Sequence, residues 1–193
     1  LDPVRYLTNH STGKMGYAVA RAAAMRGADV TLIHGPTALP PIKFTEDVPI
    51  TTAQDMYEAV TSRFADMDIL VMAAAVADYR PATVADDKIK KKDGDLSIPV
   101  ERTADILGTI GPRKTKQFLC GFSMETRDMV ENSAAKLKKK NLDMVVANNL
   151  KVSGAGFGVD TNVVTFITPD GTRELPLMSK ADVADAILDE ILK

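Results

Sequence analysis

The chain has one cysteine, Cys120, in 193 residues, so no internal disulfide is available and a secreted disulfide scaffold is excluded. That cysteine sits in the apolar run Phe118-Leu119-Cys120-Gly121-Phe122 and reads as a small buried core residue. Histidines are as scarce: with only His10 and His34 there is no Cys/His cluster for zinc, and no Gly-x-Ser-x-Gly elbow marks a hydrolase. No apolar run approaches the ~18 residues of a membrane helix, and the first residues lack the charged-then-apolar order of an export signal. A cytoplasmic chain that neither spans a membrane nor carries such a signal is expected. A charge excess is lacking too: 24 Lys plus Arg stand against 26 Asp plus Glu, a net charge of −2. Neither lysine cluster is interleaved with aromatics for base stacking, so a nucleic-acid partner is not expected.

What is present is an ordinary apolar share, 45% of residues, in a length that suits one domain over residues 1–193. Helical and strand-like segments alternate from residue 14 onward, the order that builds a mostly parallel sheet with helices on both faces. Lys14 to Arg26 reads as a helix closed by Gly27, and Val30 to His34 as a strand stopped by Gly35-Pro36. A short strand near Val48 to Thr51 precedes a helix opened by Thr52 and Asp55, with Met56, Ala59, Val60 and Phe64 on one face. The apolar run Ile69 to Ala75 predicts a central strand covered on both sides. Lys88 to Ile98 predicts an exposed hairpin, or flap, about Asp93-Gly94. Gln117 to Phe122 predicts a strand, Thr126 the N-cap of a helix running to Lys140, and Met144 to Ala147 the last strand of the parallel pattern. Asn162 to Thr168 and Arg173 to Leu177 flank a Pro169-Asp170-Gly171-Thr172 turn, and Ser179 with Asp182 opens a final helix.

Three constellations carry chemistry. Asn9-His10-Ser11-Thr12-Gly13-Lys14-Met15-Gly16 runs a glycine-bearing polar loop into a helix, where unpaired N–H groups and the helix dipole suit a phosphate. It is neither a Walker A loop nor the dinucleotide fingerprint, and a capped helix packing closely on the sheet accounts for it equally. Ala73-Ala74-Ala75-Val76-Ala77-Asp78-Tyr79-Arg80 places small residues and one carboxylate at a strand's carboxyl end, where open α/β sheets bind ligands; tight packing with a surface ion pair is the alternative. The lysines form two sets, Lys88, Lys90, Lys91 and Lys92, and Lys136, Lys138, Lys139 and Lys140. Lys136 and Lys140 share a helix face fit for a polyphosphate, although lysines that oppose a helix dipole or guard a strand edge need no ligand.

The run Asp2 to Gly16, together with Ala74-Ala75-Val76-Ala77-Asp78-Tyr79-Arg80, Lys88-Ile89-Lys90-Lys91, Gly121-Phe122 and Lys140-Asn141-Leu142-Asp143, resembles the phosphopantothenate-cysteine ligases (phosphopantothenoylcysteine synthetases) of coenzyme A biosynthesis. The resemblance implies a Rossmann-like three-layer α/β fold with a flap used in dimerisation. It implies a CTP-dependent ligase that joins 4'-phosphopantothenate to cysteine through an acyl-cytidylate, with Mg²⁺ and release of pyrophosphate and CMP. Asn9 and Lys88 match the catalytic positions; Arg5, Asn9, Ala74 and Ala75 match substrate-binding ones. Ser11, Gly13, Gly16, Asp78, Lys88, Thr103, Ala104, Asp105, Ile106, Phe122, Lys136 and Lys140 match nucleotide-binding ones, with no protein-held metal site. Phe122 would offer an apolar surface to base or sugar, or serve as a strand-end core residue. Where relatives show Asn-Pro-Asp, this chain has Thr103-Ala104-Asp105. Arg5 matches an arginine that reaches the neighbouring subunit's substrate, which implies a homodimer with shared sites; a flavin-dependent decarboxylase fused to the domain or associated with it is the further partner implied. The family carries a strand and a Gly-Pro-Thr turn ahead of the position of Asp2, and their absence is expected to weaken the sheet. A Rossmann-type NAD(P) oxidoreductase and a non-catalytic nucleotide-binding module are the alternatives, the first lacking its glycine fingerprint.

Overall fold

The computed structural model describes residues 1–91, 93–124, 128–149, 156 and 158–193. Helix α1 spans Lys14–Met25 and ends as predicted, with Gly27 at φ 85°, a value that an L side chain resists. Strand β1 (Val30–His34) pairs in parallel with β2 (Thr45–Pro49), which lies three residues earlier than the sequence suggested. Helix α2 (Ala53–Arg63) opens on a complete capping box: Thr52 Oγ1 accepts from Asp55 N, and Asp55 Oδ2 accepts from Thr52 N. Strand β3 covers Ile69–Met72, β4 Tyr79–Pro81 and β5 Val100–Arg102; α3 (Ile106–Ile110), β6 (Phe118–Met124), α4 (Met129–Lys139) and β7 (Met144–Asn148) follow. The chain closes with β8 (Thr161–Asn162), β9 (Val164–Thr168), β10 (Gly171–Glu174), β11 (Met178–Ser179) and α5 (Lys180–Ile191).

The main sheet has the order β10-β9-β7-β6-β3. Its β3, β6 and β7 are parallel, and β9 and β10 add antiparallel strands where the βα alternation gives way to a hairpin. Alternation along β6, β7 and β9 divides the core into two layers. Leu119, Val145, Ala147 and Ile167 face Met56, Val60, Ile106, Ile110 and Leu137 from α2, α3 and α4, and Phe64 from the turn after α2. Cys120, Met144, Val146, Val164 and Phe166 face Val19 of α1 and Val183, Ala184 and Ile187 of α5. The result is the expected three-layer sandwich.

Two expectations are corrected. Ile69 to Ala75 is not a central strand: β3 stops at Met72 and pairs only with β6 among the described residues, which leaves Ile69 exposed. A continuous apolar run reports burial potential, not position in a sheet, and Ala73–Ala75 leave it as loop. Lys88 to Ile98 contains no strand among its described residues; the paired strands are β4 and β5, and the lysines occupy the long connection between them. Four lysines in five residues leave no apolar face on which two strands could pack. The chain bends at Asp93-Gly94, with Gly94 at φ 93°, but the hairpin turn predicted there joins no strands among the described residues. The N-cap predicted at Thr126 lies outside the described residues, and Asp128 immediately precedes α4.

Candidate functional site

The loop ahead of α1 is tied to the end of β3. Asn9 Nδ2 donates to Ala75 O at 3.2 Å and to Val76 O at 3.4 Å, so two of the three constellations meet. Gly13 occupies the N-cap of α1 at φ 75°, and no side chain among the described residues caps the helix. The first N–H groups of α1 are therefore left for water or an anion, next to the Ser11 hydroxyl, which accepts from Gly13 N at 3.5 Å. A Cβ on Gly16 would stand 3.7 Å from Ala73 Cβ, ordinary contact, so this glycine fits close packing of α1 on the strand end without being compelled by it. Lys14 is not aimed at this loop: its ammonium pairs with Asp160 at 2.7 Å, and that pairing holds the Asp160 carboxyl below its usual range.

From the strand end the polar line continues. Thr103 Oγ1 donates to Ala77 O at 2.6 Å, and Thr103 N donates to Asp78 O at 3.0 Å, which lays the Thr103-Ala104-Asp105 segment beside Asp78. Asp105 then caps α3, accepting from Gly108 N, and also takes the Lys140 ammonium at 2.8 Å from the end of α4. Partial burial alone would raise the Asp105 pKa; the Lys140 ammonium and the Gly108 N–H outweigh it and lower it. Gly111 makes the approach of Lys140 feasible, since a Cβ there would stand 1.9 Å from Lys140 O. Asn9, Ala75, Asp78, Thr103, Ala104, Asp105 and Lys140 are thus joined by hydrogen bonds and short stretches of chain into one ridge. Beside it lies a cleft of about 310 Å³ lined by Gln54, Arg80, Arg102, Thr103 and Ala104, two of them cationic.

Other predicted residues lie differently. Ile106 is buried in the core, so only its backbone is available to a ligand. Phe122 projects to the α1/α5 side and packs against that core, while neighbouring Gly121 faces Leu107 and Leu142 on the other side. Lys136 lies one turn before Lys140 on α4. Lys88 is exposed in the β4–β5 connection, whose next residue is gripped by the amino-terminal segment: Arg5 Nη2 donates to Ile89 O at 3.0 Å, and Ile89 N donates to Asp2 Oδ2 at 3.1 Å. Asp2, which the sequence did not single out, has a wholly buried side chain. The Arg5 guanidinium beside it holds its carboxyl far below the usual range against the opposing effect of burial, with help from the N–H groups of Val4, Ile89 and Arg5. The Asp-Pro step at the start of a turn was the available signal.

The layers define a Rossmann-like three-layer α/β domain, with the polar ridge as its candidate site. The chain belongs to the family described as the DNA/pantothenate metabolism flavoprotein C-terminal domain, whose model matches residues 1–193. It is 52% identical over 193 residues to the coenzyme A biosynthesis bifunctional protein CoaBC of Bacillus subtilis (strain 168), covering 99% of this chain and 48% of that protein. The CoaBC protein of Escherichia coli (strain K12) is 43% identical over 196 residues, with 100% and 48% covered, so the chain spans about half the length of these curated relatives. A crystal structure of a CoaBC C-terminal domain superposes with a TM-score of 0.84 at 44% identity, covering 98% of this chain and 86% of that one. A Cab2 mutant in complex with phosphopantothenate-cysteine shares the fold at a TM-score of 0.80 and 18% identity, covering 98% and 79%.

Proposed function

We propose that this domain is a ligase of coenzyme A biosynthesis that joins 4'-phosphopantothenate to cysteine at the expense of CTP. The carrying observation is the ridge from Asn9 through Ala75, Asp78 and Thr103 to the Asp105–Lys140 pair, which sets an amide donor and a cation on one continuous line. Family membership and the likeness to the CoaBC proteins of coenzyme A biosynthesis support the pathway; the nucleotide and the intermediate rest on residue chemistry.

In the first step a substrate carboxylate oxygen bonds to the α-phosphorus of CTP and the bond to the β-phosphate oxygen breaks, releasing pyrophosphate. Negative charge grows on the phosphoryl oxygens, and Lys88, with Lys136 and Lys140, supplies the fixed cations that oppose it. Magnesium, if bound with the triphosphate, would supply further charge neutralisation. No group of three His, Cys, Asp or Glu side chains suited to a metal occurs among the described residues. In the second step the cysteine amine attacks the acyl carbon, the amine proton is lost, and CMP leaves with the bonding pair. The oxyanion of that tetrahedral species needs a donor, and Asn9 is suited to the task. Its two contacts to Ala75 O and Val76 O are longer than the ~2.9–3.0 Å optimum, so a charged acceptor can take over one amide hydrogen.

Asn9→Asp replaces that donor with a carboxylate facing carbonyl oxygens. Ligation should fall about 10²–10³-fold while the acyl-cytidylate accumulates, as read by mass spectrometry of quenched mixtures. Full ligation by Asn9→Asp would remove Asn9 from the mechanism. Likewise, pyrophosphate release that does not depend on phosphopantothenate would remove the ligase reading.

A further inference from the structure

We propose that Asp2 is a positioning residue for the lysine segment: with Arg5 it clamps both peptide groups of Ile89 and so fixes where Lys88 and Lys90 leave the backbone. The proposal rests on the reading above, in which Lys88 serves the phosphoryl step. Its structural half stands independently.

The wholly buried Asp2 carboxylate accepts from five donors. Oδ1 takes Val4 N and Arg5 N, both at 2.9 Å, and so closes the amino-terminal turn. Oδ2 takes Arg5 Nε at 3.0 Å, Arg5 Nη2, and Ile89 N at 3.1 Å. Arg5 Nη2 then passes to Ile89 O at 3.0 Å. A peptide unit is planar, so holding Ile89 N–H fixes the plane that contains the Lys88 Cα, and holding Ile89 C=O fixes the plane that contains the Lys90 Cα. A second tie lies nearby, where Ala85 N donates to Leu1 O at 3.0 Å. The β4–β5 connection otherwise lacks strand pairing among its described residues, so a clamp is what its lysines need in order to offer a fixed charge and not a mobile one. A neutral amide at position 2 would keep the shape and lose both the charge that binds Arg5 and one acceptor oxygen.

The test uses Asp2→Asn in limited trypsin digestion, comparing cleavage after Lys88 and Lys90 with cleavage after Lys116, which lies elsewhere and pairs with Asp68. The ratio should rise about tenfold or more, because cleavage follows the population of opened segment. In parallel, the KM for CTP in pyrophosphate release should rise about fivefold or more, with the KM for cysteine unchanged. An unchanged cleavage ratio overturns the clamp. A raised ratio with unaltered kinetics for CTP overturns the positioning role. If the unmutated protein releases no pyrophosphate, the ligase reading falls, and the cleavage ratio still decides the clamp. Should Asp2→Asn fail to fold, amide hydrogen exchange on the unmutated protein takes its place: the Ile89 N–H should exchange at least about tenfold more slowly than those of Lys88 and Lys90, and equal rates overturn the proposal.

Discussion

Substituting Gly111 with alanine should damage both stability and the nucleotide side of the site. The Gly111 backbone is ordinary, with φ −54° and ψ −45°, so the reason for glycine is space and not torsion. An added Cβ would stand 1.9 Å from Lys140 O and 2.8 Å from Lys140 C. Ordinary contact is about 3.5 Å, so one backbone must retreat by roughly 1.5 Å. Forced overpacking of this kind costs about 1–3 kcal/mol, and loosening the 3.0 Å bond from Asn141 Nδ2 to Gly111 O adds about 1 kcal/mol. Lower unfolded-state entropy returns about 0.4–1 kcal/mol, leaving a net loss of about 1–4 kcal/mol. For a chain of this size that lowers the melting temperature by roughly 2–15 °C. Gly35→Ala is the control, because its Cβ would meet only Ile50 Cδ1 at 4.0 Å; it should stay within about 1 kcal/mol of the unmutated protein. Thermal melts followed by circular dichroism give both values. Displacing Lys140 from Asp105 should also raise the KM for CTP. Gly111→Ala melting alongside Gly35→Ala would refute the packing argument, and with it the claim that this glycine holds Lys140 in place.

Three further outcomes are expected. Thr52→Ala removes the acceptor of Asp55 N and should cost about 1 kcal/mol, a fall in melting temperature of about 2–4 °C; an unchanged melt would contradict the capping box. Ser123 and Ser133 share a buried 2.6 Å hydrogen bond between β6 and α4. Ser133→Ala should therefore cost about 1–3 kcal/mol, and adding Ser123→Ala should recover part of that in denaturant titrations; strictly additive losses would deny the pairing. The Asp105 pKa is lowered in the folded state, so its contribution is present above the ordinary carboxylate value of ~4 and is lost as pH falls below that toward the folded value. Lys140→Met should flatten the fall in melting temperature over that acid window, and a slope identical to that of the unmutated protein would mean that the pair does not form.

The parts of the fold legible in the sequence are those set by local rules. The Thr52-x-x-Asp55 box, the Ser179 cap, Gly27 after α1 and the turn at Pro169-Asp170 each specify their geometry within a few residues, and each recurs in the structure. Ile69 to Ala75 was misplaced in the sheet because apolar content carries no information about which edges find partners. The lysine-rich stretch alternates like a strand but has no apolar face to support one. Within the site, Asn9, Asp78 and Lys140 are visible as types and places, but their bonds to Ala75 and Val76, to Thr103 and to Asp105 are tertiary and are not. Asp2 escaped notice because its burial is a tertiary fact, made by Arg5 and by a residue 87 positions along the chain. Phe122 lies two residues from buried Cys120, and the period of two puts both on the α1/α5 face.

The most direct test of the account is product analysis with purified protein, 4'-phosphopantothenate, cysteine and Mg²⁺, with CTP and with ATP in parallel. The account predicts one 4'-phosphopantothenoylcysteine, one CMP and one pyrophosphate per CTP consumed, with little product from ATP. Binding of CTP without any ligated product, or equal turnover of the two nucleotides, would contradict it.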